Sequence, residues 1–528
     1  MNGPDPKSRA SSPRPAADSP RPVAVIDIGA TSVRMAVAEI AGDGSVRKLE
    51  TLVQPLDLGR EAFTSRRLSR RSIERAADIL RRYQRVLLEY GIRSPKDVRV
   101  VATSAVREAA NRLAFIDRVY IATGLEVEVL DEAEVNRITY MGITPYLAAC
   151  DEVSGGKSVI VEVGGGSTEL LVVRGGNVLH SESYRLGSVR LLQILDAARA
   201  PADRRRALLE THIRRTLTRL AEQVRADVPL HLVAIGGDIR FAARRLIGDW
   251  HESAMARLET ERLAAWTSEV LPLDEDAIVK KFGASFTEAE TLGPALLTYT
   301  MLAEHFRLEH LYVCETNLRD GVLHDIAIAG SWTAEFRNQI VRSAISLGRK
   351  FDFDEGHARA VAELSRQLFE QLREDHRLDN RHEVILYVAA LLHEIGLFIN
   401  VQSNHKHALY LIRNSELFGL SRSDKLLVGL VARYHRRAYP QPTHEAYRLL
   451  HRDDRVAVAK LASLLRLAIA LNDTRGGRIR EIQCRRERKR LVITASGVQD
   501  VALEQVAMRQ NAGLFQEVYG LPVLLRGG

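Results

Sequence analysis

"VIVEVGGGSTELLVV", residues 159–173, sets one acid, three glycines and a Ser-Thr-Glu between two apolar, β-branched runs. Val-Ile-Val and Leu-Leu-Val-Val read as neighbouring strands, and glycines are ordinary turn residues. A hairpin needs only a two-residue loop, however. Three consecutive glycines expose backbone N–H groups without side chains, so an anion can approach them closely. Ser167 and Thr168 add hydroxyl donors, and Glu162 and Glu169 could hold a cation that neutralises the anion. This stretch alone leaves two readings open, a loop for phosphate plus a divalent metal or a plain scaffold turn. A Gly-rich loop is a weak signal by itself.

A second stretch separates them. "VAVIDIGATSVRMAVAEI", residues 23–40, aligns so that Asp27 falls on Glu162, Gly29 on Gly164, Thr31 on Gly166 and Ser32 on Ser167. Each copy is an apolar strand, an acid, a small-residue turn with hydroxyls, and another apolar strand. Two copies about 135 positions apart indicate a duplicated domain, not a solenoid. The expected architecture is α/β and actin-like, with two mixed-sheet halves and a phosphate hairpin from each facing a common cleft.

A chain of 528 residues is long enough for three or four domains. Its 46% hydrophobic and 27% charged content fits an ordinary soluble protein, and no run reaches the length of a membrane-spanning helix. Residues 1–22 lack the apolar core of a signal peptide and read as a Pro/Ser-rich disordered tail. Cys150, Cys314 and Cys484 form neither a disulfide framework nor a zinc pattern, so a reducing cytoplasm is expected. The net charge of +8 favours an acidic partner. Aromatics at 6% do not interleave with the arginine clusters, which argues against base stacking with nucleic acid and for a polyanion without bases.

Apolar spacing predicts a helix over residues 69–90. "DVRVVATSAVREAANRLAFIDRVY" then reads as a strand, a turn with Thr103 and Ser104, and a helix carrying Arg107. A strand entering a helix with Glu134 and Arg137 follows, and "HLVAIGGDIRFAARRL" repeats the strand–turn–helix pattern. Past residue 330 the chain turns helical and rich in histidine, and the last forty-odd residues return to strand-like alternation. The expected divisions are 23–142 and 143–330 for the two actin-like halves, 331–480 for a helical domain and 481–528 for a small α+β segment.

In this order, the two hairpins, "VATSAVREAAN", "NRITYMGI", "NLRDGVL" and "AALLHEIGLFIN…HKHALYLIRNS…ARYHRR" resemble the exopolyphosphatase / guanosine pentaphosphate phosphohydrolase (Ppx/GppA) family. The resemblance covers about residues 23–480. It implies an actin-like module joined to an HD-like helical domain. It also implies a homodimer, a Mg²⁺ requirement (with Mn²⁺ as a substitute), and release of orthophosphate from polyphosphate or of the 5′ γ-phosphate from guanosine pentaphosphate. Carried onto this chain, Asp27 and Glu162 would hold the metal. Gly29, Thr31, Ser32, Thr103, Gly164, Gly165, Gly166, Ser167 and Thr168 would cradle phosphate, and Arg107 would grip its terminal group in a bidentate fork.

The chain departs from its relatives at two places. The family's second-hairpin aspartate is Glu162, which keeps the charge. The family also carries two adjacent glutamates, the second acting as base, and that position is Val135. Glu134 or Glu169 would then have to orient the water; otherwise the protein binds polyphosphate or a guanosine polyphosphate as a sensor with little turnover. In the helical half, His357, His393-Glu394, His435 and Asp473 follow the order of an HD metal constellation, with His-Glu in place of His-Asp. The alternative there is a scaffold or a polyanion channel. A kinase on the same fold could use the Gly236-Gly237 turn, but no kinase-type substrate motif accompanies it.

Overall fold

The computed structural model describes residues 20–224, 228–248, 250, 254–328, 334–436 and 438–528. Most of the expected N-terminal tail, residues 1–19, lies outside them. The described residues form two compact units, 20–129 with 322–328 and those of 130–321 with those of 334–528.

In the first unit, strands β1 (Arg21–Ile28), β2 (Ser32–Ile40), β3 (Val46–Pro55), β4 (Val98–Ala102) and β5 (Val127–Val129) form a sheet in the order β3-β2-β1-β4-β5. β1 is buried from Val23 to Ile28 because both faces of this central strand are covered, which explains its nearly unbroken apolar run. The helix Arg70–Glu89 covers the sheet through Ile73, Ala76, Leu80, Tyr83 and Leu87, a three-to-four-residue spacing that puts them on one face. Ser69 caps it, and Tyr83 donates a hydrogen bond to Val33 O at 2.8 Å. Arg99 on β4 is half-buried between Glu128 (2.8 Å) and Asp325 (2.5 Å), which ties the returning segment to the sheet.

In the second unit, β6 (Lys157–Val163), β7 (Thr168–Arg174), β8 (Asn177–Tyr184), β9 (Leu230–Ile235), β10 (Ala256–Glu259) and β11 (His310–Val313) form a sheet in the order β8-β7-β6-β9-β11-β10. The first five positions repeat the topology of the first sheet. In each, an antiparallel hairpin is followed by two parallel strands on its other side. Even the irregularities correspond, since register shifts fall between Val37 and Ala38 and between Val172 and Val173. The duplication inferred from sequence is therefore a duplication of topology.

The helix Glu132–Ala149 packs on β7 and β8, so the first boundary falls before Leu130 and not after residue 142. It meets the helix Leu318–Ala327 closely, for a Cβ on Gly321 would lie 2.2 Å from Ile138 O. The helical half, from Ala334 to Leu471, shares one apolar core with a face of the second sheet and with a C-terminal sheet. That last sheet comprises β12 (Ile482–Glu487), β13 (Arg490–Ala495) and β14 (Val523–Gly527), with two helices between β13 and β14. No helix among the described residues is long and apolar enough to cross a membrane.

Tyr299 lies fully buried beneath the second hairpin. Its hydroxyl accepts from Val163 N at 2.8 Å and donates to Ile235 O at 2.5 Å, which clamps the ends of β6 and β9. Replacement by Phe leaves two buried backbone groups unpaired, at a cost of about 1–3 kcal/mol. Urea unfolding of Tyr299→Phe should show a lower midpoint for the transition that includes this sheet; an unchanged midpoint would contradict the clamp.

Candidate functional site

Both turns are built alike. Gly29 N–H donates to Ser32 O at 3.0 Å, and Gly164 N–H donates to Ser167 O at 2.9 Å. Strand pairing ends at Ile28↔Val33 in one hairpin and at Val163↔Thr168 in the other, so each has a four-residue turn. Asp27 and Glu162 stand one residue further back on β1 and β6, opposite Arg34 and Glu169. The equivalences read from sequence hold bond for bond.

In the second turn the carbonyls are all engaged on one side. Gly164 O accepts from Ser188 N, Gly165 O from Val189 N, and Gly166 O from Arg190 Nε. These donors belong to the start of the helix Ser188–Ala198, whose first N–H groups have no side-chain cap. A trans peptide points its N–H opposite to its C=O. Fixing three carbonyls on the helix therefore aims the amides of Gly165, Gly166 and Ser167 away from it. Among the described residues these amides have no backbone acceptor. Three aligned N–H groups make a concavity for an anion. The fit is close, since a Cβ on Gly187 would sit 2.3 Å from Gly165 O.

The first turn uses the same device with other residues. Thr31 O accepts from Leu56 N, and Ala30 O accepts from both Leu58 N and Gly59 N. Ser32 is buried, and its Oγ has no hydrogen-bond partner among the described residues. β4 runs parallel beside β1, and Thr103 N–H donates to Ile28 O at 3.3 Å. Asp27, Ser32 and Thr103 thus meet at one end of the first sheet. Half-buried Arg107 follows Thr103 by one helical turn, with its amide on Thr103 O.

The carboxylates fall into distinct roles. Glu169 is buried and accepts from Ser167 Oγ (2.5 Å) and Ser183 Oγ (3.3 Å). A Cβ on Gly164 would lie 4.0 Å from its other oxygen, so Glu169 borders the turn. Glu134 does not. Its carboxylate accepts from Asp131 N at 3.2 Å while Asp131 accepts from Glu134 N at 3.0 Å, a capping box at the start of the helix Glu132–Ala149. The pattern Asp-x-x-Glu before an apolar run was legible as such a box. Val135, the next residue, is buried. At 3.6 residues per turn it projects about 100° further round the helix than Glu134. The two positions therefore face different directions, and one oxygen of Glu134 is engaged in the cap.

Thr168 also differs from expectation. Its hydroxyl donates to Leu186 O and holds the scaffold, so it is not available to a phosphate. Sequence reading missed Gly187, Ser188 and Arg190; their signal was "LGSVR", a Gly-Ser step opening an amphipathic helix just after the hairpin.

In the helical half the structure brings together His357, His393 and Glu394, with His435 on the far side of His393. Burial, reinforced by the neighbouring His393, lowers His357 to about 4. Burial likewise pushes His393 and His435 below the usual imidazole range. Asp473 is exposed and is not part of this group; buried Asn472 faces His357 instead. The helix Arg452–Leu471 ends just before, and its final geometry turns residue 472 inward and 473 outward.

The Ppx/GppA phosphatase family pattern matches residues 23–328, and domain III of the same family matches residues 341–511. The chain belongs to the Ppx/GppA phosphatase family. It is 24% identical over 455 residues to a guanosine-5'-triphosphate,3'-diphosphate pyrophosphatase of Photobacterium profundum, covering 85% of this chain and 86% of that protein. An exopolyphosphatase structure from Cytophaga hutchinsonii ATCC 33406 is similar at 20% identity and a TM-score of 0.52, over 58% of this chain and 98% of that one. A Ppx/GppA family member from Aquifex aeolicus is 24% identical with a TM-score of 0.49, over 59% of this chain and 99% of that one. The fold of this Ppx/GppA chain is thus the duplicated actin-like one.

Gly187→Ala should push the Gly165–Gly166 backbone out of place while sparing the core. Phosphohydrolase activity should fall at least tenfold with far-UV circular dichroism unchanged. Wild-type activity in this variant would show that the helix start does not set the turn.

Proposed function

We propose that this Ppx/GppA phosphatase is a Mg²⁺-dependent hydrolase of phosphoanhydrides, acting on the terminal phosphate of inorganic polyphosphate or the 5′ γ-phosphate of guanosine pentaphosphate. The observation that carries this reading is the set of three amides, Gly165 to Ser167, turned away from a helix that fixes their carbonyls. Backbone donors held in advance stabilise phosphoryl charge at no cost of reorganisation. The Photobacterium relative is named for a guanosine polyphosphate and the Cytophaga structure for polyphosphate, and both substrates end in the same group.

Each residue then has a task. The amides of Gly165, Gly166 and Ser167 hold phosphate oxygens, and the Ser32 and Thr103 hydroxyls offer donors of the same kind at the end of the first sheet. Arg107 pairs with the terminal group as a planar fork. Asp27 and Glu162 offer oxygen donors of the kind Mg²⁺ accepts, a few carboxylates completed by phosphates and water. When bound, Mg²⁺ would neutralise phosphate charge. Glu169, steadied by Ser167 and Ser183, orients the attacking water. Water adds to the terminal phosphorus, the bond to the bridging oxygen breaks, and orthophosphate departs.

A second reading, a slow or inactive sensor of the same ligands, is favoured by one observation. Glu134 spends one carboxylate oxygen on its cap, and by the resemblance the family's base position falls on Val135.

The full chain with Mg²⁺ should release orthophosphate from long-chain polyphosphate or guanosine pentaphosphate. Release from neither would overturn the hydrolase reading. Arg107→Ala should lower the rate at least a hundredfold, and retained activity would remove Arg107 from the site. Val135→Glu should raise turnover at least tenfold; an unchanged rate would contradict the assignment of the missing base.

A further inference from the structure

The helical half carries an apolar run on its outside. Ile395 is buried, but Leu397, Phe398, Ile399 and Val401, which follow it, are 38%, 61%, 48% and 69% exposed. Scattered exposed apolar side chains are ordinary, whereas four within five residues make a patch. The run is held in place. A Cβ on Gly396 would overlap Asn404 O and lie 2.7 Å from Ala408 N, so the turn is pressed on the helix Asn404–Asn414. Leu397 N–H donates to Glu394 O at 2.9 Å, and Ile399 N–H and Asn400 N–H donate to Gly396 O at 3.1 Å and 3.2 Å. Asn400 Oδ1 then accepts from Gln402 N at 2.7 Å. Phe351 meets the Phe398 ring edge-on, with centres 5.5 Å apart. These bonds fix, as a protrusion, side chains that are costly to leave in water.

Cations flank the patch. Arg436 Nη1 donates to Val401 O and to Asn404 Oδ1, each at 3.4 Å. His405 is pushed below the usual imidazole range by burial and then by Arg436, Arg433, Lys406 and His407, all of them basic groups. Along the helix Asn404–Asn414, Lys406, Tyr410 and Arg413 are exposed at spacings of four and three, which places them on one outer face. Glu394, the acid just before the turn, is held by Arg475 at 2.7 Å. An apolar tip, a tyrosine and a set of basic side chains therefore share one surface.

We propose that residues 397–401 and the outer face of the helix Asn404–Asn414 dock this protein on an anionic lipid bilayer. Phe398, Ile399 and Val401 enter the boundary between headgroups and acyl chains, Tyr410 lies at headgroup level, and Lys406, Arg413 and Arg436 meet the lipid phosphates. Other occupants fit less well. A second copy seated here across a two-fold axis would set these cations against their own counterparts, and like charges oppose that contact. A soluble acidic protein would match the cations but leave a convex apolar tip with no groove to fill. Attachment of this kind is reversible and weakens with salt, because part of it is electrostatic. This inference does not depend on the phosphohydrolase reading.

The test is co-sedimentation of the full chain with sucrose-loaded vesicles of phosphatidylcholine, alone or with about 30% phosphatidylglycerol. Binding to the anionic vesicles should be at least tenfold tighter and should weaken in about 0.5 M salt. Phe398→Ser/Val401→Ser, which alters two exposed side chains and no charge, should weaken it at least tenfold with far-UV circular dichroism unchanged. Lys406→Glu/Arg413→Glu should weaken it by a similar factor. In Phe398→Trp, vesicles with brominated acyl chains should quench emission beyond the wild-type level. No binding to anionic vesicles would overturn the proposal. Full binding in a folded Phe398→Ser/Val401→Ser, or no added quenching in Phe398→Trp, would also overturn it, since either marks charge attraction by other parts of a basic chain. A dimer that dissociates in Phe398→Ser/Val401→Ser would give the patch to a second copy. Polyglutamate bound as tightly as the vesicles would give it to an acidic protein, and either result overturns the bilayer.

Discussion

The grip of one helix start on three carbonyls decides what the second hairpin can do. A glycine-rich turn has many conformations, and its peptide groups can present either pole. Here Ser188, Val189 and Arg190 take the carbonyls of Gly164, Gly165 and Gly166, which leaves the opposite poles for an anion. The exchange satisfies both partners. The helix has no side-chain cap and obtains its acceptors from the turn, while the turn obtains a fixed orientation from the helix. The absence of a side chain at Gly187 is what allows the two backbones to lie so close.

The first hairpin reaches the same end by a different route. Its carbonyls are taken by Leu56, Leu58 and Gly59, the backbone that follows β3, and its turn carries Ala30 and Thr31 in place of glycines. Shared strand order, shared turn bond and shared register shift show that the two sheets descend from one plan. The chemistry placed on that plan has diverged. One copy keeps an aspartate and gains a neighbouring Thr103 and Arg107, while the other keeps two glutamates and a denser set of amides. Val135 is buried in this frame, and Asn136 beside it bonds Ser181 on β8, the strand that also supplies Ser183 to Glu169.

The sequence was most legible where spacing alone dictates geometry. Strand alternation, acid and small-residue turn located both hairpins and matched their acids, and the paired strands then fix a four-residue turn in each. Helices with a clear apolar face, such as Arg70–Glu89, followed from periodicity. Reading failed where a side chain chooses between a local and a remote partner. Glu134 took a local backbone partner and Thr168 one eighteen residues away, Leu186, which residue type does not reveal. Asn472 and Asp473 exchanged roles because the end of a helix sets which of two neighbours faces inward. The boundary before Leu130 was hidden since a helix can follow one sheet in sequence and pack on the next.

The central claim is that the amides of Gly165, Gly166 and Ser167 receive phosphate. A crystal structure of the full chain with tripolyphosphate and Mg²⁺ tests it most directly. The account predicts phosphate oxygens within about 2.7–3.2 Å of those three nitrogens, with the carbonyls still on the helix start. Phosphate bound elsewhere, with these amides turned onto protein acceptors, would contradict it.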